Sequence, residues 1–399
     1  MISVEGALNI ILGGKVTPEK EEIPIQSAGN RILSQDILAP HDQPPWDNSA
    51  MDGYAVRWED IQPNGSAKSI QLKVIEVISA GKTPEQTISK KVCAKIMTGA
   101  RIPPGADTVV PVEVTEKRGK NVVIQVPGIK GAHIRLQGDD VRRGEVILKK
   151  GKMIRPSEIA MLASLGKGKV PVYKKPVVAV LSSGDELVDL HEARTENKIF
   201  NSNGYALSAQ VLEAGGEPLF LGIAADQKSA LLKKFQEGKR ADILIVSGGV
   251  SMGDFDYVKE ILSTHGKMHF WKVAMRPGSP MAFGEMDGKP FFGLPGNPVS
   301  CMVTFKIFVE PLIKKWGGAL QYEMKLVWAK LSHDIEKKRG MRSFSRGVLS
   351  YSEREWVVRS TGEQSSHLIH SMVEANCLMD LPEESDKIKK GEEIHVIPF

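Results

Sequence analysis

Near residue 173 the chain changes texture, and that change constrains the fold more than any other feature. From there, short unbroken apolar runs alternate with helix-length segments. Val177–Leu181, Pro218–Ile223 and Ile243–Val246 are too short for buried helices and too uniformly apolar for strands with one wet face. Such strands are buried on both faces. The intervening segments, one capped by Asn203, one after Asp226 and one over Val258–Thr264, are expected to cover them as helices. Alternation of this kind predicts βαβ units and a parallel sheet. His269–Met275 reads as a further strand. Met281–Phe283 and Pro290–Leu294 read as a hairpin turned near Asp287-Gly288, and Pro298 opens a long helix to about Trp316.

Outside this region helical periodicity is scarce. Val4–Leu12 reads as a short helix and Pro156–Ser164 as another. Residues 66–150 are rich in strands punctuated by Gly and Pro, such as IQLKVIEVI and GEVILKKG. Beyond residue 322 alternating strands return in MKLVWAKL, SFSRGVL, EWVVRS and EEIHVIPF, which predicts a small β-barrel or sandwich.

Composition narrows the function. Lys plus Arg is 53 and Asp plus Glu is 48, a formal charge of +5 with no block of like charge, and aromatics are 6%. These exclude a nucleic-acid arm and argue against a stacking platform for single strands. Cys93, Cys301 and Cys377 lie far apart without a C-x-x-C, so neither a structural zinc site nor a disulfide framework is expected, and a reducing compartment is. The opening residues carry Glu5 and no basic region, unlike a secretion signal. No apolar run reaches the roughly 20 residues of a membrane helix.

In an open parallel sheet, ligands bind beyond the carboxyl ends of the strands. Those ends carry Gly184-Asp185-Glu186, then Asp226, then Ser247-Gly248-Gly249 with Asp254 and Asp256, then Arg276-Pro277-Gly278, and finally Gly293 to Pro298. Glycines let an anion approach backbone N–H groups, whereas the carboxylates repel it; the two coexist if a hard cation such as Mg²⁺ bridges them. Each loop alone also reads as a turn or helix cap. Their predicted placement on one edge favours a site. Neither G-x-G-x-x-G nor G-x-x-x-x-G-K-[ST] occurs in this half, so standard dinucleotide and P-loop readings are disfavoured.

A second polar set lies in the amino-terminal half: Asp47–Tyr54, Met97–Ala100, Pro103–Asp107 and Gly138–Val141, for which turn-making is the plain alternative. Histidines show no ligand spacing and G-x-S-x-G is absent, which disfavours a His-based zinc site and a serine hydrolase. Near the carboxy terminus, Arg342, Arg346, Ser365 and Ser366 are candidates for oxyanion binding, with solvated surface as the alternative.

These segments together resemble the molybdopterin molybdenumtransferases, the MoeA type related to the gephyrin E domain. The resemblance rests on PPWDNSAMDGYAV, IMTGARIPPGADTVVPVE, GDDVRRGEVIL, SSGDEL, NSNGYAL, SGGVSMGDFDYVKE, WKVAMRPGSPMAFG, FFGLPGNPVSCMVTF, SRGVL and SSHL. They occur in the family's order from about residue 41 to 370. It implies an α/β plus β multidomain chain. Residues 1–47 and 135–172 form a discontinuous amino-terminal domain and 48–134 an inserted β-rich lobe. Residues 173–322 form a three-layer α/β molybdopterin-binding (MogA-like) domain and 323–399 a β-barrel-like domain.

It also implies insertion of molybdenum from molybdate into adenylylated molybdopterin, with Mg²⁺-dependent release of AMP. Glu186, Asp226 and Asp256 then look like the metal and pyrophosphate group, and Ser247, Gly248 and Gly249 like the phosphate cradle. Lys272 and Arg276 resemble the cationic partners of the pterin phosphate, with Pro295 and Pro298 in the adjoining wall. Asp52, Thr98 and Asp140, with Glu186, match catalytic positions; the first three are expected from a partner subunit of a homodimer whose active site lies between subunits. Arg346 and Ser366 match positions associated with molybdate. Arg276 stands where many members carry Lys. The implied partners are an upstream molybdopterin adenylyltransferase and downstream molybdoenzyme apoproteins or chaperones, in the cytoplasm, with neither nucleic acid nor membrane. A non-catalytic scaffold or carrier, and a molybdopterin adenylyltransferase, are the competing readings.

Overall fold

The computed structural model describes residues 1–62, 69–125, 128–249 and 257–399. The chain forms two compact units. One comprises Met1–Ser34, Gly151–Arg155 and Lys169–Phe399, the other Gln35–Lys150 and Pro156–Gly168.

The larger unit opens with helix α1 (Val4–Gly13), whose N-cap Ser3 accepts the Gly6 N–H at 3.0 Å. Its main sheet contains β1 (Val177–Ser183), β2 (Glu217–Ala224), β3 (Ile243–Ser247), β4 (Gly266–Lys272), β5 (Pro280–Met286) and β6 (Lys289–Leu294). The spatial order is β2-β1-β3-β6-β5-β4. The first four run parallel, while β5 runs antiparallel to both its neighbours, so the sheet is mixed. The reversal follows from the β5–β6 hairpin, turned at Asp287-Gly288 where both residues have positive φ.

The apolar runs face both ways, as fully covered strands must. Val178, Val180, Ile243, Ile245, Phe292 and Leu294 pack beneath α1, α2 (Ser202–Glu213) and the final helical stretch. Ala179, Leu181, Leu244, Val246 and Phe291 meet Leu231 and Phe235 of α3 (Lys228–Glu237) and Ile261 and Leu262 of α4 (Tyr257–His265). Three layers result. The final helical stretch runs through α5 (Pro298–Thr304), a π turn (Phe305–Val309) and α6 (Glu310–Trp316). Pro311 has no N–H and its ring crowds the carbonyl four residues back, which accounts for the widened turn before it.

Residues beyond 322 close into a barrel of five strands: β7 (Val327–Leu331), β8 (Arg342–Ser352), β9 (Glu355–Ser360), β10 (Cys377–Leu381) and β11 (Glu393–Pro398). Their order is β8-β9-β7-β11-β10, with β10 returning to β8. The two-residue strand Met275–Arg276, reached after β4, adds in parallel to β8. Barrel residues Phe344, Leu378 and Ile397 share a core with the α/β layers.

The smaller unit is built on a six-stranded sheet ordered Thr108–Pro111, Gly53–Val56, Val92–Ile96, Ile70–Ile78, Asn121–Ile124 and Thr115–Arg118. Gly53 is obligatory there, because a Cβ would stand 2.2 Å from the Val110 carbonyl oxygen. The helix Pro156–Ser164 belongs to this unit, where its Met161 packs with Ala39, Val141 and Leu165. Among the described residues no helix is long and apolar enough to cross a membrane.

Candidate active site

Four of the loops singled out in the sequence meet at the carboxyl end of the sheet, around a cleft of about 570 Å³. They are fastened to one another by short polar links. Ser183, the last residue of β1, donates its hydroxyl to Asp226 Oδ1 at 2.5 Å. Asp185 Oδ1 accepts the Asp226 N–H at 3.0 Å, tying the first loop to the second. Gly248 donates its N–H to the Leu294 carbonyl at 3.0 Å, tying the third to the fifth. A Cβ on Gly248, whose φ is +92°, would lie 2.3 Å from the Ser183 carbonyl oxygen. That glycine therefore lets three strand ends close up, and with Gly249 it leaves bare backbone on the cleft wall.

Asn203 is the cross-member. Asn201, not Asn203, caps α2: its side-chain oxygen accepts the Gly204 N–H at 3.0 Å. The helix starts two residues earlier than an Asn203 cap requires. Asn203 Nδ2 instead donates to Ser247 Oγ and to the Gly296 carbonyl, both at 2.8 Å. The two acceptors fix the amide's orientation.

Glu186 and Asp226 both line the cleft, as do Ser247, Pro295 and Pro298. No Lys or Arg is among the described lining residues; the basic candidate is His367, which arrives from the barrel. Asp254 and Asp256 lie outside the described residues. Among the described residues no group of three or more His, Cys, Asp or Glu is arranged to hold a metal. A pair of carboxylates nevertheless suits Mg²⁺, which commonly takes one or two and completes its shell with phosphate oxygens and water. Burial pushes the thiols of Cys93, Cys301 and Cys377 up to about 12, so none supplies a thiolate.

The remaining expected residues fall elsewhere. Lys272 ends β4 in register with Pro280, itself a cleft residue, but does not line the cleft. Arg276 sits on the strand added to the barrel, exposed, with its Nε 3.2 Å from Met341 Sδ. Arg346 is fully buried in the barrel. Ser366 Oγ accepts from Asn297 Nδ2 at 3.1 Å, next to the cleft. In the smaller unit Asp52 and Thr98 are hydrogen-bonded. Asp140 is exposed in a loop that its own N–H ties to the Gln43 carbonyl at 3.0 Å. A different cavity of about 410 Å³ borders α1 and the barrel, where Arg342 is occupied by Asp380 and Glu5.

Comparison with known proteins settles the family. Residues 2–166 match the MoeA N-terminal region (domain I and II), 179–315 a probable molybdopterin binding domain, and 328–399 the MoeA C-terminal region (domain IV). The chain belongs to the molybdopterin molybdenumtransferase (MoeA) family.

Its relatives of that name include proteins from Haemophilus influenzae, 36% identical over 96% of this chain and 94% of theirs, and Staphylococcus aureus, 37% identical over 99% and 95%. A crystal structure described as the molybdopterin biosynthesis MoeA protein of Pyrococcus horikoshii superposes with a TM-score of 0.86, at 32% identity, over 100% of this chain and 99% of that one. For a MoeA-family chain the cleft is placed tellingly. All its described lining residues except His367 fall within the molybdopterin-binding match, and His367 falls within the carboxy-terminal one. Sequence reasoning passed over two residues of this MoeA-type cleft. His367 stood unremarked inside the SSHL segment, and Asn203 was read as a cap although the repeated Asn of NSNG offered two candidates.

Proposed function

We propose that this chain inserts molybdenum from molybdate into adenylylated molybdopterin, with Mg²⁺-dependent release of AMP. One observation carries the reading: a bare glycine wall stands beside two carboxylates in a cleft whose described lining contains no Lys or Arg. A pyrophosphate there is repelled by Glu186 and Asp226 unless a divalent cation lies between them. Mg²⁺ held by those carboxylates, when bound, supplies charge neutralisation at the cleaved phosphoanhydride.

The chain's own residues hold and orient the substrate. Gly248 and Gly249 leave room for phosphate against the backbone. Ser247 is held by Asn203, while Pro295 and Pro298 shape the adjoining wall. Lys272, paired with Pro280, and Arg276 are the cations for the pterin phosphate in this reading. Asp52, fixed by Thr98, orients the attacking oxygen together with Asp140. These last three come from a second copy of the chain in a homodimer. The free, buried cysteines suit a reducing cytoplasm, where a molybdopterin adenylyltransferase supplies the substrate and molybdoenzyme apoproteins or their chaperones take the product.

The test is AMP release from adenylylated molybdopterin with Mg²⁺, with and without molybdate, on the wild type, Asp52→Asn and Glu186→Gln. Molybdate-stimulated release that both substitutions abolish supports the transferase. Tight binding without AMP release would make the chain a carrier or scaffold. Formation of adenylylated molybdopterin from ATP and molybdopterin would make it an adenylyltransferase.

A further inference from the structure

Between Leu187 and Phe200 the chain leaves the cleft and returns to it. It departs as the two-residue strand Leu187–Val188 and comes back beside it, in parallel, as Ile199–Phe200. Leu187, Ile199 and Phe200 line the cleft, while residues 190–197 are exposed. Backbone bonds join the two ends. Ile199 donates its N–H to the Glu186 carbonyl at 2.8 Å, and Asn201 donates to the Val188 carbonyl at 3.0 Å.

Lys198 adds a side-chain bond at the same place. It is half-buried, and its Nζ donates to the Asp185 carbonyl. Among the described residues it has no carboxylate partner, although Asp189, Glu192 and Glu196 precede it closely in the chain. Pairing with an exposed carboxylate gains a lysine little. A charge-assisted bond to one peptide carbonyl instead fixes a loop.

That loop seats both carboxylates of the cleft. The Leu187 N–H closes it as a turn on the Gly184 carbonyl at 3.1 Å. Asp185 Oδ1 accepts the Asp226 N–H. The Glu186 carboxylate folds back over Gly184, where a Cβ would stand 2.6 Å from Glu186 Oε2. Lys198 therefore braces the peptide next to Glu186 and the residue on which Asp226 is seated. We infer that Lys198 is a positioning residue: by holding the Asp185 carbonyl it keeps Glu186 and Asp226 at the spacing that takes a divalent cation. The cation part of this inference rests on the function proposed above.

The sign of one effect separates a brace from a mere charge. An ammonium near two carboxylates opposes a dication, so its removal alone tightens metal binding. Loss of a brace weakens it. The probe is Mn²⁺ alone, which takes the same oxygen ligands as Mg²⁺, followed by electron paramagnetic resonance on the full chain at fixed ionic strength. Lys198→Met is expected to raise the Mn²⁺ dissociation constant about tenfold, as loss of an outer partner of a metal ligand does. Lys198→Arg keeps a donor and should stay within about twofold of the wild type. In the Glu186→Gln background, Lys198→Met should add less than about a twofold further loss, because residues acting in series are not additive. The second readout is amide hydrogen exchange without metal. Exchange at the Ile199 N–H should be about tenfold faster in Lys198→Met, with β3 unchanged as the reference.

Unchanged or tighter Mn²⁺ binding in Lys198→Met, or unchanged exchange at Ile199, would overturn the inference. So would losses that multiply in the double variant. Should Lys198→Met not fold, Lys198→Gln carries the same expectations. If the wild type binds no Mn²⁺, the proposed metal chemistry fails, while exchange at Ile199 still decides whether Lys198 braces the loop.

Discussion

Asp52 takes two hydrogen bonds from Thr98 on one oxygen: the backbone N–H reaches Oδ1 at 2.7 Å and the hydroxyl at 2.8 Å. Both bonds favour the carboxylate. The backbone bond, followed by the hydroxyl, holds Asp52 below its ordinary 3.8. Its contribution is therefore complete above the unfolded value and disappears as pH falls through the lower folded one. Across pH 5–9 Asp52 stays ionised, a poor proton acceptor and a good orienting charge. Asp52→Asn should cut AMP release by a similar factor at every pH in that window. A limb in the wild-type profile between pH 5 and 9 that vanishes in Asp52→Asn would contradict this. In Thr98→Val, NMR titration should place the Asp52 carboxyl closer to 3.8.

Gly248→Ala forces a Cβ to within 2.3 Å of the Ser183 carbonyl oxygen, at a φ that side chains rarely adopt. The strain should cost about 1–3 kcal/mol in urea denaturation. Binding of adenylylated molybdopterin should fall more than stability does, since the displaced backbone is the cleft wall. Equal affinity in the folded variant would remove the glycine wall from the site.

Asn203→Ala leaves Ser247 Oγ and the Gly296 carbonyl without their shared donor. Unpaired polar groups of this kind cost about 1–3 kcal/mol. Asn203→Asp should be worse, because a carboxylate then faces the Gly296 carbonyl. Chemical denaturation ranks them; if Asn203→Asp is the milder change, the cross-member role is wrong.

These cases mark how far the sequence could be read. The α/β layers were legible because VVAVL and its counterparts have no polar face to leave in water, and the barrel because its strands alternate. The loops were legible as one edge because strand ends and loop ends coincide in such sheets. Asn203 was not legible: its partners lie 44 and 93 residues away, and an asparagine before a helix reads first as a cap. Nor was the burial of Arg346, since an arginine in a strand reads as surface until its acceptors, 17 to 25 residues on, are known to fold over it. The Arg276 loop was expected with the other four, but pairing of Met275–Arg276 with β8 takes it into another sheet.

Phe292 is wholly buried between the sheet and the final helical stretch. Phe292→Ala should cost about 3–5 kcal/mol, measurable as a lower urea midpoint with an unchanged slope. A cost under about 1 kcal/mol would mean that this core repacks freely.

The strand Met275–Arg276 has a consequence for how such a chain can be taken apart. It leaves the α/β sheet to pair with β8, while Phe344, Leu378 and Ile397 fill the same core as Val178 and Phe292. Cutting at residue 322 would not release a smaller working module. It would expose an orphaned strand edge and strip the inner lining from half a core, inviting aggregation. Any gene fusion or truncation that preserves this protein must carry the barrel along with the sheet.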